Sequence, residues 1–171
     1  MAEFQAAISS RIVTPDPLLP VSGGVGPSKP TTQKQGELKV VVLVMQDEDT
    51  TVAIVSADFL GFPAVLGDRV REQVKDIPPE NILIGATHTH SAPDCYGFPD
   101  ENGQTQADLD YLEVVCNKMA DAINEAASSL QPAAVKIDTG KAQGQIAYNY
   151  YAEQLYDPRC HVIQCLDAKQ K

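Results

Sequence analysis

Two of the chain's three histidines stand two residues apart, in the run ATHTHSAPD at positions 86–94. Imidazole is the side chain suited to carrying protons near neutral pH, and in its neutral form it is the commonest metal ligand. In extended backbone, residues i and i+2 point to the same side, so His88 and His90 can address one point in space. A metal ion needs several ligands converging from fixed backbone, and this pair supplies one or two. Thr87, Thr89, Ser91 and Asp94 add polar groups to the same edge. Spacing alone leaves a plainer alternative open, two surface or hydrogen-bonded histidines on a strand edge. His161 sits between Cys160 and Val162 in a strand-like run and reads as a core or edge histidine. A structural zinc site closed by this chain alone requires four ligands, and no second ligand cluster accompanies the pair.

The other reactive groups carry less. Cys95, Cys116, Cys160 and Cys165 form no CxxC pair and are too few for a disulfide scaffold; buried thiols are the expectation. Cys95 falls in a loop, where exposure is expected, but no activating base accompanies it, which argues against a nucleophile. Asp58 closes an apolar run at the sheet edge expected to carry His88. Its carboxylate either hydrogen-bonds a ligating histidine from behind or caps the following helix. GxGxxG, GxxxxGK[ST] and GxSxG are all missing from the sequence, which removes support for nucleotide-phosphate cradles and the hydrolase elbow. SGGVG at 22–26 lacks a following helix with Lys and Ser/Thr and reads as turn chemistry.

Charge narrows the partners. Lys and Arg number 13 against 23 Asp and Glu, a net charge of −10, which argues against binding nucleic acid or an anionic membrane through a basic face. No apolar run approaches the ~20 residues that span a bilayer. The opening MAEFQAAISSRIV lacks the basic-then-apolar order of a signal peptide.

The elements that must position these residues follow from period and punctuation. The 171 residues, 43% hydrophobic and 21% charged, suit about one domain with a true core. Phe4, Ala6, Ile8 and Ile12 mark a first strand over 3–13. The stretch 14–36, with five prolines and four glycines, is loop, and loops of that length are often functional. The β-branched runs 38–45 and 51–59 form a hairpin around the polar turn QDEDT. Pro63 opens a helix over 63–76, whose stripe Leu66, Val70, Val74 and Ile77 faces the core. Pro78-Pro79 stops it, and NILIGAT at 81–87 is a buried strand, completing a βαβ unit that should be parallel and right-handed. Thr105 with Asp108 resembles a capping box ahead of a second helix, striped by Leu109, Leu112, Cys116, Met119, Ile123, Ala126 and Leu130. Runs 133–138 and 160–166 are further strands, and Tyr148–Tyr156 concentrates four of the six tyrosines. The fold class is α/β, a mixed β-sheet with a hairpin, a βαβ unit and packed helices.

Taken in order, TVAIVSADFLGFP at 51–63, the charged helix and IPPENILIGATHTHSAPD at 77–94 resemble the amino-terminal domain of the neutral/alkaline (non-lysosomal) ceramidases. RIVTPDPLLPVSGGVG at 11–26 is similar to that family's Asp-Ile-Thr-Pro-Pro opening. YDPRCHVIQCLDA at 156–168 resembles its Asp-Pro-Glu-Val strand. The resemblance implies a zinc-dependent amidase that cleaves the N-acyl bond of ceramide-like lipids to sphingoid base and fatty acid. His88 then matches the first zinc ligand. His90 matches the active-site histidine beside it, which contacts substrate or the developing oxyanion. Zinc would lower the pKa of its bound water to about 7. The chain departs from the family at Ala92, where the family has Gly, and at Tyr150, where an Arg follows the residue matching Asn149. The family's remaining ligands (a later His, then Glu and Tyr) and its active-site Ser lie beyond residue 171. The resemblance therefore implies that 1–171 is one amino-terminal α/β domain, an incomplete part of a larger catalytic domain, with zinc in a site the chain does not close. Family members are often secreted or associated with membrane surfaces.

Two other readings compete. A non-catalytic binding or scaffold module would retain the fold without a complete metal site. A different HxH metallohydrolase with two metals would need more Asp and His at other strand ends than the sequence offers. An incomplete domain exposes apolar surface, so self-association or pairing with the missing part is also expected.

Overall fold

A computed structural model describes residues 4–24, 28–144 and 147–167. Glu3 of the first expected strand, Val25-Gly26-Pro27 of the glycine-rich loop and the tail 168–171 lie outside the described residues. Strand β1 (Gln5–Ile12) is followed, after the long loop, by β2 (Lys39–Asp47) and β3 (Thr50–Ala57). These two form the expected antiparallel hairpin, with Asp47 opposite Thr50. The turn tightens to Glu48-Asp49, and Glu48 adopts the left-handed φ of 50° that such two-residue hairpin turns demand.

Helix α1 (Ala64–Arg71) and strand β4 (Ile82–Ala86) complete the βαβ unit. Strand β4 runs parallel to β3, from Ala53 opposite Ile82 to Ala57 opposite Ala86. The helix is shorter than its apolar stripe predicts. Beyond Arg71, Asn124 captures the backbone, accepting from Lys75 N at 3.1 Å and donating to Gln73 O at 3.1 Å. A side chain thus takes groups that a continuing helix would use, while Val74 and Ile77 still face the core.

Helix α2 (Leu109–Ser128) starts at Asp108, not at Thr105: the Asp108 carboxylate accepts from Tyr111 N at 2.9 Å, satisfying one of the free N–H groups of the first turn. Its stripe from Leu112 to Ala126 is buried as expected, but Leu109 is exposed. Strand β5 (Gln131–Pro132) pairs with β1, so the main sheet runs β4-β3-β2-β1-β5. Strands β6 (Ala134–Lys141) and β7 (Arg159–Leu166) form a separate antiparallel pair and join neither edge of that sheet.

The main sheet has two unlike faces. On one, Val40, Val42, Val44, Ala53, Val55 and Ile82 pack with α1 and α2 into the core, around Phe59 and Met119. Strand β1 turns Ala7 toward this side, and Ser9 Oγ donates to Ala122 O of α2 at 2.7 Å. Hence Ile8 and Ile12, two of the residues that mark the strand in the sequence, point to the other face and are exposed. Cross-strand register places Ile8, Leu43, Ile54 and Leu83 in one row across four strands there, beside a second row of Ala6, Met45 and Val52. Neither helix covers them.

Candidate functional site

Strand β4 ends at Ala86, and the chain from Thr87 to Ser91 is irregular. Within it His88 takes φ 62°, the left-handed region that a non-glycine residue enters at a cost and that clusters at functional positions. The two imidazoles do meet: their ring centroids lie 5.1 Å apart in an edge-to-face arrangement of 83°. Convergence therefore holds, but not through strand alternation. A left-handed residue past the strand end brings the rings together.

The His88 ring is held from behind. Its Nδ1 lies 2.6 Å from Leu60 O. A carbonyl oxygen can only accept, so Nδ1 carries a proton, and in the neutral ring the lone pair is on Nε2. That tautomer suits coordination through Nε2, and a backbone carbonyl behind the ring is a usual way to fix it. His90 is held by close packing. Gly23, at φ 110°, lies so near the His90 ring that a β-carbon there would meet Cγ at 2.7 Å. The glycine-rich loop is pinned in that place, since Ser22 N donates to Ala92 O at 2.8 Å and Val21 bridges both Lys29 and Pro93. SGGVG is thus more than turn chemistry: its first glycine is the floor under His90. Both histidines remain exposed on their outer side.

The neighbouring polar residues sort differently from their place in the sequence. Asp58 hydrogen-bonds neither histidine and does not cap α1, whose first turn has no side-chain cap. Its carboxylate accepts from Lys39 N at 2.9 Å and from Thr87 Oγ1 at 3.1 Å, tying the ends of β2 and β4 together. Asp94 is buried and turned away from the edge. It accepts from Tyr96 N at 2.8 Å and Phe98 N at 2.7 Å, fixing the loop that follows. Ala92 is buried, and its carbonyl accepts from Ser22 N. Thr89 and Ser91 line a cavity of about 520 Å³ with Asp58, Leu18, Leu19 and Val21. The histidine rings are not among its walls, so this cavity adjoins the pair without containing it.

Cys95 is buried, contrary to its expected exposure, and its Sγ donates to Gly61 O at 3.0 Å. Burial pushes its thiol up to about 11, which leaves it protonated and inert at neutral pH. Cys116 is buried too, Cys165 partly, and Cys160 is exposed, so only part of the buried-thiol expectation holds. His161 is the edge histidine of its strand, with Nδ1 3.0 Å from Thr139 Oγ1. Asn149 orders the exposed tyrosine loop by accepting from Tyr151 N at 2.9 Å, and Tyr150 beside it is largely solvent-exposed. Among the described residues, no group of three or more His, Cys, Asp or Glu side chains could hold a metal ion.

Leu60 and Gly23 are the contributors that sequence reasoning passes over. Leu60 acts through its backbone carbonyl, which has no sequence signature. Gly23 acts across a separation that only the folded loop closes; its one sequence trace is the Gly23-Gly24 pair in a loop too long to be a plain connector.

No family model and no curated protein matches the chain. Solved structures do. One, a ceramidase complexed with C2, superposes with a TM-score of 0.77 at 16% identity, covering 100% of this chain and 30% of that one. Another, the neutral ceramidase from Pseudomonas aeruginosa, gives a TM-score of 0.70 at 14% identity, with the same coverage of 100% and 30%. The chain thus has the fold of a segment of these ceramidases and spans about 30% of their length. At such identities the likeness establishes the fold alone.

Proposed function

We propose that this chain supplies part of the active site of a zinc-dependent amidohydrolase of ceramidase type, which hydrolyses the N-acyl bond of a ceramide-like lipid. The observation that carries the reading is the His88–His90 pair itself, two rings 5.1 Å apart with the first anchored at 2.6 Å on the Leu60 carbonyl. In this reading His88 is a metal ligand through Nε2. Zinc held there would supply a Lewis acid and, from water, a nucleophile at neutral pH.

The residues of this chain have narrower tasks. Leu60 O keeps the proton on His88 Nδ1, so that Nε2 stays a donor of its lone pair. Gly23 sets how deeply the His90 ring sits. His90 offers the amide carbonyl an imidazole N–H where charge develops, the kind of preorganised donor that stabilises a forming oxyanion. Four-coordinate zinc takes three protein ligands in a catalytic site. In this reading the remaining ligands are those that the likeness to the ceramidases places in polypeptide outside 1–171; among the described residues no group of three or more His, Cys, Asp or Glu accompanies the pair.

The test is hydrolysis of short- and long-chain N-acylsphingosines by the full-length protein, beside its His88→Ala and His90→Ala variants. Loss of a ligand should cost at least the ~100-fold that disturbing a ligand's support can cost. His88→Ala should also lower zinc content, and His90→Ala should leave it in place. Equal turnover by His88→Ala and the parent would remove this residue from the mechanism. Chain 1–171 alone should bind zinc weakly and turn over little amide.

A further inference from the structure

The main sheet carries an open face with the composition of a protein interior. The row Ile8–Leu43–Ile54–Leu83 and the row Ala6–Met45–Val52 lie side by side, and a third row, Ser10–Val41–Ser56–Gly85, continues them without a charge. Ile8 is 70% and Leu83 63% exposed, yet the same strands bury Val42, Val44 and Val55 completely or nearly so on the other face. Sheets that face water on one side normally alternate apolar with polar residues. They also guard exposed strands with inward-pointing charges. Within these three rows no charge occurs, and the polar side chains are Ser10 and Ser56 alone. A contiguous uncharged face of this extent marks an interaction surface.

We infer that this face is covered by a second apolar layer belonging to the same larger domain, carried by polypeptide outside residues 1–171. Two observations choose that occupant over a second copy of the chain. The first is coverage: the fold accounts for all of this chain but 30% of the solved chains it matches, so most of such a domain lies elsewhere. The second is charge: two copies stacked on this face would bring together bodies of net charge −10 each, and like net charge opposes association. A nucleic acid or an anionic surface would find no cation within the three rows. The inference concerns packing and does not depend on zinc or on amide hydrolysis.

Thiol accessibility tests it. Ser56 and Ser10 point out of the open face and are exposed, so Ser56→Cys and Ser10→Cys are small changes that need not disturb the covered side. Each is made in a Cys160→Ser/Cys165→Ser background and treated with a thiol reagent, in chain 1–171 and in the protein encoded by the whole reading frame. Chain 1–171 should be monomeric by sedimentation and react at the rate of a free thiol. In the longer protein both positions should react at least 100-fold more slowly. Equal rates in the two proteins overturn the inference, as does a reading frame that stops at Lys171 with both thiols freely labelled. Protection within chain 1–171 that grows with concentration, together with dimers in the centrifuge, assigns the face to a second copy and overturns it as well. Loss of hydrolysis in His88→Ala leaves all these outcomes unchanged, so failure of one proposal is distinguishable from failure of the other.

Discussion

The two faces of the main sheet are built from the same strands and almost the same residue types, yet they live in different surroundings. Val40, Val42 and Val44 join the core that the helices cover; Val41, Leu43 and Met45, between and beyond them, lie outside it. A period-two pattern that is apolar on both sides is what a strand needs when both of its faces are to be buried. Helix-side burial stabilises the fold within the chain, whereas the opposite side holds apolar area whose removal from water has yet to contribute. At roughly 25 cal/mol per Å² of apolar surface, that difference should be visible in mutants.

The largest effect is expected at the centre of the covered side. Ile123→Ala, at a fully buried position of α2, should destabilise the chain by about 2–5 kcal/mol in denaturant unfolding. An intermediate effect comes with pH. Burial raises the Cys116 thiol from its ordinary 9.0 to about 11. The folded state then holds this proton more tightly than the unfolded chain, so the stabilisation is full below pH 9 and is lost as pH rises toward 11. Cys116→Ala should flatten that alkaline decline, measured as unfolding midpoints between the two limits; an unchanged slope would show that the thiol is not the source. Asp108→Ala, which removes the cap of α2, should cost about 1 kcal/mol. Smallest is Ile8→Ala on the open face, expected within about 0.5 kcal/mol of the parent in chain 1–171. An Ile8→Ala cost as large as that of Ile123→Ala would erase the contrast between the faces.

Much of the fold was legible because its elements carry strong local signals. The hairpin of β2 and β3 shows in two β-branched runs around a polar turn, and α2 shows in a stripe at helical spacing. Less legible were features decided by contacts between distant residues. Helix α1 stops early because Asn124, far along the chain, takes its next backbone groups. The first strand was visible, but which of its faces would be buried was not, since Ile8 and Ile12 outrank Ala7 and Ser9 in hydrophobicity and still point away from the helices. That inversion makes sense only if the exposed side is also meant to be apolar. At the site, the histidine spacing announces a pair, and the motif around it carries the likeness to the ceramidases. Hidden were the groups that place the rings, a carbonyl at Leu60 and an absent β-carbon at Gly23. Asp58 and Asp94, both plausible partners by position, spend their oxygens on backbone N–H groups and, for Asp58, also the Thr87 hydroxyl.

The left-handed backbone at His88 has a consequence for anyone wishing to transplant this pair. Copying Thr-His-Thr-His onto the end of another strand would carry over the ring types without the bend that aims them. The graft would also need an acceptor carbonyl placed as Leu60's is and a bare α-carbon beneath the second ring. A minimal portable unit is therefore three separate pieces of chain, and a designer who supplies only the tetrapeptide should expect two solvent-facing imidazoles that do not converge.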